Sequence, residues 1–319
     1  MEINTVAVLG GSGFVGRHVC HALAAAGCRV RVATRDRERA KDNLILLPTA
    51  EASVVDIHQP AELADFVRGT DAVVNLVGVL HDGRGSRGFQ GAHVELAHKV
   101  VAACREGGVR RLLHMSALQA GRSGPSAYLR SKGEAEAIVR GSGLDWTLFR
   151  PSVIFGRDDS FLNLFAQALR LSPVMVLACP GARFQPVFVE DVAAVFARSL
   201  AEPGAIGASY DLCGPRVYTL RELVEYVGAA TGHRRPVIGL NDALSSLQAS
   251  VMGLLPVKLM THDNYLSMKV DNVCGCDFPF GMAPAALEAE APSYLGNHTP
   301  RARYQQFRAG RGTAVTSDE

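Results

Sequence analysis

The chain has 319 residues, of which 48% are hydrophobic and 20% charged, and 33 Lys and Arg against 31 Asp and Glu give a formal charge of +2. This length and composition suit one large or two modest domains with a hydrophobic core, and they exclude a disordered chain or a small disulfide-bonded scaffold. The near-neutral charge provides no net field for nucleic acid or an anionic membrane, so we expect no nucleic-acid partner.

Short Val- and Leu-rich runs alternate with segments of helical period through the first half of the chain. This alternation is typical of a parallel sheet covered by helices. We therefore predict an α/β fold, a Rossmann-type doubly wound parallel sheet, with a helix at 14–26. The predicted strands cover 5–9, 29–34, 53–55, 72–77, 112–116 and 146–149.

A glycine-rich turn separates the first predicted strand from the first predicted helix, with glycines at the first, fourth and seventh positions of G-x-x-G-x-x-G. Glycine lets the backbone approach a pyrophosphate closely, and the N–H groups at the start of the helix are available as donors. The sequence therefore predicts a dinucleotide site at this turn. Its expected contacts are Gly10, Ser12, Gly13, Phe14, Val15 and Gly16.

The residues after the second and third predicted strands bear on the choice of cofactor. Arg35 stands where NAD-specific sites usually carry an acid, and a guanidinium binds a 2′-phosphate well, so we expect NADPH/NADP. Asp36 is the alternative reader of the ribose, which would allow NAD, with Arg37 and Arg39 then part of a solvated helix start. Asp56 is placed to accept from an adenine amine or to cap the next helix.

A tyrosine and a lysine four residues apart form the predicted chemical site. Tyr128 and Lys132 are neighbours on one helical face, and a nearby cation lowers a Tyr pKa toward the working range. Ser116 ends the fifth predicted strand, where its hydroxyl could hold the same substrate oxygen. The alternative is a packed Tyr with a solvent-exposed Lys. We interpret His114 as a pocket or core histidine.

After residue 150 the alternation becomes irregular, with predicted helices at 161–171, 191–200 and 220–230 and a strand at 208–212. We expect a dinucleotide-binding domain at 1–150, a smaller substrate or docking region at 151–298 that is interleaved with the sheet, and a flexible tail at 299–319.

A further apolar helix face is predicted near residue 250, at Leu240, Leu244, Leu247, Val251 and Leu254, which are spaced by four, three, four and three residues. This face either packs on the body of the protein, or docks on a partner or a membrane interface. The stretch 240–268 is therefore the candidate docking element.

The glycine turn, the Ser116, Tyr128 and Lys132 set, and segments 149–156 and 187–193 together resemble the short-chain dehydrogenase/reductase superfamily, in its atypical or extended branch, which is epimerase/dehydratase-like. The resemblance covers about residues 5–230. It implies that Tyr128 is the general acid/base, that Lys132 binds the nicotinamide ribose and lowers the Tyr pKa, and that Ser116 orients the carbonyl. It also places 187–193 at the start of a substrate-domain helix. The remaining cofactor contacts are expected at Pro151, Ser152 and Val153, and at Leu76, Val77 and Gly78.

A closer resemblance is carried by 128–132, 154–163 and 261–264, which look like the family of nucleotide-binding accessory subunits of respiratory complex I and their bacterial relatives. This match extends to about residue 285. It implies tightly held NADPH in a structural role, and related proteins are linked to ubiquinone biosynthesis.

Three functions follow from these resemblances. One is an NADP-dependent oxidoreductase that acts on an apolar carbonyl or quinone-pathway substrate. The second is a non-catalytic accessory or assembly protein of a membrane-associated respiratory or quinone-biosynthesis complex, docked through 240–268. The third is an NADP redox sensor.

The 7 Cys are odd in number and scattered along the chain, which favours reduced thiols over a disulfide framework. Cys274 and Cys276 form a lone C-x-C pair. Because no second pair or His cluster accompanies them, we interpret them as loop cysteines and expect no metal site.

The start of the chain bears on location. Residues 1–5 lead directly into an apolar run, without the features of a secretory signal or an organelle import peptide. No stretch reaches the roughly 18 uncharged apolar residues that cross a bilayer. We expect a cytoplasmic protein, with peripheral attachment to the inner face of a membrane as the alternative.

Overall fold

The computed structural model describes residues 3–36, 49–83, 85–253 and 260–296. Arg37, Arg39, Leu254 and the predicted tail at 299–319 lie outside these residues. The strands are β1 (Thr5–Leu9), β2 (Arg29–Thr34), β3 (Ala50–Val54), β4 (Ala72–Asn75), β5 (Arg111–Met115), β6 (Asp145–Pro151), β7 (Ile154–Phe155), β8 (Met175–Leu177), β9 (Arg183–Phe184), β10 (Val187–Phe188), β11 (Ala208–Leu212), β12 (Tyr218–Thr219) and β13 (Val237–Gly239).

The α-helices are α1 (Phe14–Ala25), α2 (Pro60–Val67), α3 (Leu96–Glu106), α4 (Ala127–Arg140), α5 (Leu162–Leu171), α6 (Val189–Ala201), α7 (Leu220–Ala230), α8 (Asp242–Gly253), α9 (His262–Ser267), α10 (Leu287–Glu290) and α11 (Pro292–Leu295). A π-helical segment at Gln90–Glu95 leads into α3. Short 3₁₀ turns lie at Gly85–Arg87, Pro203–Ala205 and Pro279–Gly281.

The central sheet is parallel and, within the described residues, has seven strands in the order β11-β6-β5-β4-β1-β2-β3. This arrangement confirms the predicted Rossmann-type fold. The chain order reverses between β1 and β4, which pair through Leu9 and Asn75 at their carboxyl ends. Ligands of open α/β sheets bind at such a reversal, so this edge positions the candidate site.

Helices cover both faces of the sheet. On one face, Val19 and Leu23 of α1 pack with Val192 and Phe196 of α6 against the sheet. α6 begins at Val189, within the segment 187–193, and its apolar positions pack with α1 on this face of the sheet. On the other face, residues of α2 and α3 form a second buried cluster.

The region after residue 150 contributes both to the central sheet and to a group of small sheets beside it. β11 supplies the edge strand of the central sheet beside β6. The remaining small sheets pair β7 with β10, β9 with β12, and β8 with β13, in the described part of the chain. They surround a third core that includes Phe155 of β7, Leu162 of α5 and Leu223 of α7.

The apolar side of α8 faces outward. Leu244, Leu247 and Val251 are 47%, 59% and 55% exposed, whereas Ser245 and Ala249 are buried. The interpretation that the apolar face packs on the body of the protein is therefore wrong. The side of α8 that faces the body carries the small residues Ser245 and Ala249. No helix within residues 3–36, 49–83, 85–253 and 260–296 has the length and apolarity needed to cross a bilayer.

More aliphatic side chains continue this exposed surface. Val176 of β8 pairs with Ile238 of β13, and both are exposed. Gln248 of α8 donates to the Val176 carbonyl and so brings the helix against the strands. We call this surface the apolar belt; its members are Leu171, Val174, Val176, Ile238, Leu244, Leu247 and Val251.

One expectation about the cysteines is wrong. Cys213, directly after β11, forms a disulfide with Cys274 across a separation of 61 residues. The expectation of reduced thiols throughout rested on scattered spacing, and the fold brings these two distant segments together. Cys20, Cys28, Cys104, Cys179 and Cys276 are free cysteines.

Candidate functional site

The glycine turn is packed so tightly that side chains would not fit. Gly10 has a φ of +81°, and a Cβ there would lie 3.3 Å from the backbone of both Leu76 and Val77. A Cβ on Gly16 would lie 2.1 Å from the Gly10 carbonyl oxygen and 2.6 Å from the Gly11 Cα. Gly13 is the N-cap residue of α1, and no side-chain hydrogen bond caps this helix. The N-terminal amides of α1, including those of Phe14 and Val15, thus lie at the sheet edge, as the motif predicts.

The loop after β4 meets Lys132 of α4. A Cβ on Gly78 would lie 3.0 Å from the Lys132 Nζ, so the ammonium reaches directly against this loop. Lys132 is 3% exposed and donates from Nζ to the Met115 carbonyl oxygen at 3.2 Å. The alternative of a solvent-exposed lysine is therefore wrong.

The charge of Lys132 is set by two opposing effects. Burial lowers the pKa of Lys132 to about 8, while the carboxylate of Glu136, one helical turn further along α4, acts in the opposite direction. Glu136 is in turn held by Arg150 of β6, whose Nε donates to it at 2.7 Å. A partly buried ion pair thus ties α4 to β6.

Tyr128 packs edge-on against two other rings. Its ring centroid is 5.8 Å from that of Phe89 and 5.7 Å from that of His93. Burial raises the pKa of Tyr128 to about 12. The expectation that Lys132 lowers this pKa is wrong, because burial of the phenolate sets the direction of the shift and Lys132 does not contribute to it. At neutral pH the hydroxyl therefore carries its proton and can donate it.

Ser116 follows β5, and its amide donates to the Phe149 carbonyl oxygen. The side chain is 3% exposed, and Oγ has no hydrogen-bond partner among the residues described. A buried hydroxyl without a partner costs free energy unless a ligand supplies one.

Two buried histidines complete this region. His93 contacts Ser131 Oγ through Nδ1 at 2.9 Å, and its Nε2 accepts from the Val79 amide at 3.1 Å. His114 contacts the Asn75 side chain at 3.2 Å, as a pocket histidine would. Burial lowers the pKa of His93 to about 2 and that of His114 to about 3, and Lys132 lowers both further. Both are therefore neutral at physiological pH.

The segment 151–153 ends β6 and is held from a distant part of the chain. The Asn272 side-chain oxygen accepts from the Ser152 hydroxyl and from the Val153 amide. The Ser152 amide donates to the Leu212 carbonyl oxygen at 2.9 Å. The expected nicotinamide pocket thus depends on Asn272, which the sequence motifs did not indicate.

The 261–264 motif lies against the start of α4. Asp263 accepts from the amides of Ala127 at 2.7 Å and Tyr128 at 3.1 Å. Thr261 and Asn264 form a capping box at the start of α9. A motif that carried the family resemblance therefore holds the helix that presents Tyr128.

Arg35 and Asp56 follow the carboxyl ends of the neighbouring strands β2 and β3. Arg35 is exposed. Asp56 accepts from the His58 amide at 3.0 Å and so stabilises the turn before α2, but it does not cap that helix, because Gln59 is the N-cap residue and no side chain caps it.

Phe89, His93, Asp263 and Asn272 were missed by sequence reasoning. Each lies outside the glycine and Tyr-Lys patterns or in a segment far along the chain. Of these residues, only Asp263 was in a segment that the sequence analysis singled out. That segment, 261–264, was chosen because it resembles a known family, and its residue types alone did not indicate a role.

A protein-family model described as NAD(P)H-binding matches residues 10–170. The chain is 29% identical over 301 residues to the rat protein named NADH dehydrogenase (ubiquinone) 1 alpha subcomplex subunit 9, mitochondrial, covering 91% of this chain and 79% of that protein. It is 29% identical over 295 residues to a ceramide reductase of Caulobacter vibrioides, covering 87% of this chain and 90% of that protein.

Among solved structures, an Escherichia coli NADPH-dependent quinone oxidoreductase, QOR2, crystallised with NADPH, superposes with a TM-score of 0.72. The match covers 91% of this chain and 99% of that one at 20% identity, which shows a shared fold.

Proposed function

This chain belongs to the NAD(P)H-binding family, and we propose that it uses NADPH to reduce an apolar carbonyl compound or quinone. The observation that carries the proposal is the buried Ser116 Oγ, which lacks a partner within the described residues and follows the strand next to β4. A substrate oxygen would satisfy it. The reductase and quinone oxidoreductase names of similar proteins support this substrate class.

The residues present suit a dinucleotide. The amides at the start of α1 would receive the pyrophosphate, because the turn has no room for side chains at Gly10 and Gly16. Arg35 would bind the 2′-phosphate of NADPH. The two N–H groups of Lys132 that are not used by Met115 would hold the nicotinamide ribose, and 151–153 would line the nicotinamide pocket.

When bound, NADPH supplies the hydride. Ser116 donates a hydrogen bond to the substrate oxygen and fixes its position. Tyr128 gives its proton to the same oxygen as negative charge develops there. Because burial keeps the pKa of Tyr128 at about 12, the hydroxyl is protonated at neutral pH, which suits reduction. Lys132 stabilises the transient phenolate before solvent returns the proton.

Removing the Tyr128 hydroxyl tests this function. Tyr128→Phe should lower the rate of NADPH oxidation with short-chain quinones and aliphatic ketones by roughly 10²- to 10⁴-fold, without weakening NADPH binding. Tyr210→Phe is a matched control, because Tyr210 is on the edge strand β11 and its hydroxyl donates to the Gly204 carbonyl oxygen at 3.5 Å. Unchanged turnover in Tyr128→Phe would refute the role of Tyr128.

A second function is favoured by the apolar belt, namely that of an accessory protein bound peripherally to a membrane-associated complex. Contiguous exposed aliphatic side chains on a soluble domain mark an interaction surface. The likeness to a mitochondrial complex I subunit supports it. α8 also connects to the site, because Tyr265 of α9 donates to Asp242 of α8 and the neighbouring Asp263 holds the start of α4.

Introducing negative charge on the apolar belt separates the two functions. The double variant Leu244→Glu with Leu247→Glu should release the protein from sedimented membranes of its source cells while leaving NADPH affinity unchanged. Ile206→Glu is the matched control, because Ile206 is 49% exposed but lies outside the belt. Equal release of both variants, or of neither, would refute docking through the belt.

A further inference from the structure

Four side chains with metal-binding chemistry meet beside the edge strand β11. The ligand atoms of Asp211, Cys274 and Cys276 all lie within 4.8 Å of one another. The sulfur of Cys213 is bonded to that of Cys274 and so lies next to this group of three. We propose that, once the Cys213–Cys274 disulfide is reduced, these four residues bind one thiophilic divalent cation such as Zn²⁺.

The fold supplies two chelating pairs. Asp211 and Cys213 are two residues apart at the end of an extended strand, so their side chains point to the same side. Cys274 and Cys276 have the same spacing on the facing segment, which is anchored to Phe184 of β9 through a parallel bridge at Asn272. Cys274 and Cys276 have no second pair of metal-binding residues nearby in the sequence, but in the fold Asp211 and Cys213 lie beside them.

The dimensions fit a four-coordinate site. Zn²⁺ binds thiolates at about 2.3 Å in tetrahedral geometry, which separates neighbouring sulfurs by roughly 3.8 Å. The ligand atoms of Asp211, Cys274 and Cys276 are already within 4.8 Å of one another. The Cys213 sulfur, released from Cys274 on reduction, would rotate in as the fourth ligand. Three thiolates select zinc or a similarly soft ion over magnesium or calcium.

The charges around the cluster also suit a cation. Asp211 is half-buried, and its only basic neighbour among the described ion pairs is Arg150, at a long 3.9 Å. The Arg150 Nε and Nη2 are already occupied by Glu136. Two carboxylates, Asp211 and Asp277, act electrostatically on the exposed Cys276 side chain. A bound cation would offset this repulsion, and the exposure of Cys276 gives the ion a path inward.

Metal binding needs the disulfide to be opened. The Cys213–Cys274 bond takes up two electrons and two protons from a dithiol reductant, which itself becomes a disulfide, and two free thiols result. Binding of the cation then releases the three thiol protons to solvent and leaves three thiolates with the Asp211 carboxylate as ligands. The disulfide form and the metal form are therefore mutually exclusive.

The cluster adjoins the segment that holds the expected nicotinamide pocket. Asn272, which accepts from Ser152 and Val153, lies two residues before Cys274. The Cys274 amide donates to the Gln185 side chain at 2.9 Å. Either a disulfide or a metal would fasten this segment to the sheet edge.

Co²⁺ titration of the tag-free full chain tests the proposal, first as isolated in the disulfide form and then after reduction with a phosphine. The reduced protein should bind one Co²⁺ per chain, with thiolate-to-cobalt charge-transfer bands and tetrahedral visible bands, and Zn²⁺ should displace it. The disulfide form should bind no stoichiometric Co²⁺. Binding without thiolate bands, or equal binding by both forms, would overturn the proposal.

Cys276→Ser removes one ligand and leaves the Cys213–Cys274 pair intact. Its affinity for Zn²⁺ should fall more than about 100-fold, because losing a ligand costs more than losing an outer partner of one. Cys179→Ser is the matched control, a free and half-buried cysteine, and should bind as the native chain does. Thermal unfolding of each variant without metal confirms folding. Native affinity in Cys276→Ser would overturn the site.

Discussion

A single methyl group at Gly78 probes whether the Lys132 ammonium belongs to the cofactor site. The Cβ of Gly78→Ala would lie 3.0 Å from the Lys132 Nζ and 3.6 Å from the His93 Nε2. An ordinary contact is about 3.5 Å or longer, so the ammonium must retreat by roughly 0.5 Å. The displaced atom is the end of a flexible side chain, so the free energy of unfolding should change little.

Cofactor binding should respond far more strongly than stability does. Losing a hydrogen bond to a charged donor costs about 1.5–3 kcal/mol, which weakens NADPH binding by roughly 10- to 150-fold. Calorimetric titration with NADPH measures this directly. Gly181→Ala is the control, since a Cβ there meets no atom within 4 Å.

Lys132→Met separates the effect of the lysine from that of the methyl group. In this background Gly78→Ala should cause little further loss of NADPH affinity, because both changes remove the same interaction. A folded Gly78→Ala protein that binds NADPH as tightly as the native chain would refute the placement of Lys132 at the cofactor. Fully additive losses would refute it as well.

Three other predictions concern the turn, the cofactor preference and pH. Gly16→Ala should lower the free energy of unfolding in urea by about 1–3 kcal/mol, because its Cβ meets backbone at 2.1 Å, whereas Gly204→Ala has open space and should not. Arg35→Gln should weaken NADPH about tenfold and leave NADH unchanged; equal losses for both would favour Asp36 as the reader. Folding lowers the pKa of His93 to about 2 and of His114 to about 3, so their contribution to stability is complete above the unfolded value near 6.5 and is lost as pH falls below it. Between pH 6.5 and 5, these two histidines should lower the free energy of unfolding in urea by an amount that approaches about 3 kcal/mol per pH unit. His114→Asn should halve this pH dependence. An unchanged slope in that variant would contradict the assignment of half of the effect to His114.

The parts of the fold that depend on local pattern could be predicted. Strands at 5–9 and 29–34 have the predicted bounds. The first is an apolar run that ends at Gly10, and the second alternates Arg with Val and ends before the charged Arg35. The glycine turn was predictable because a tight turn before a helix restricts residue type. Tyr128 and Lys132 were found together because four residues make one helical turn.

The remaining features depend on contacts between distant segments. His93 reaches Ser131 across 38 residues, and Asn272 reaches Ser152 across 120. No spacing rule links such positions, so neither residue was named. The pKa of Tyr128 was predicted in the wrong direction because a sequence shows the nearby cation but not the depth of burial.

Single-turnover oxidation of bound NADPH that carries deuterium at the transferred position tests the central claim most directly. Native protein, offered a panel of apolar ketones and quinones, should oxidise NADPH with at least one of them. The reaction should show a primary isotope effect, and Tyr128→Phe should bind NADPH equally but oxidise it roughly 10²- to 10⁴-fold more slowly. If NADPH bound stoichiometrically to the native protein remains unoxidised with every compound of the panel, the result would contradict the reductase function and leave the accessory role.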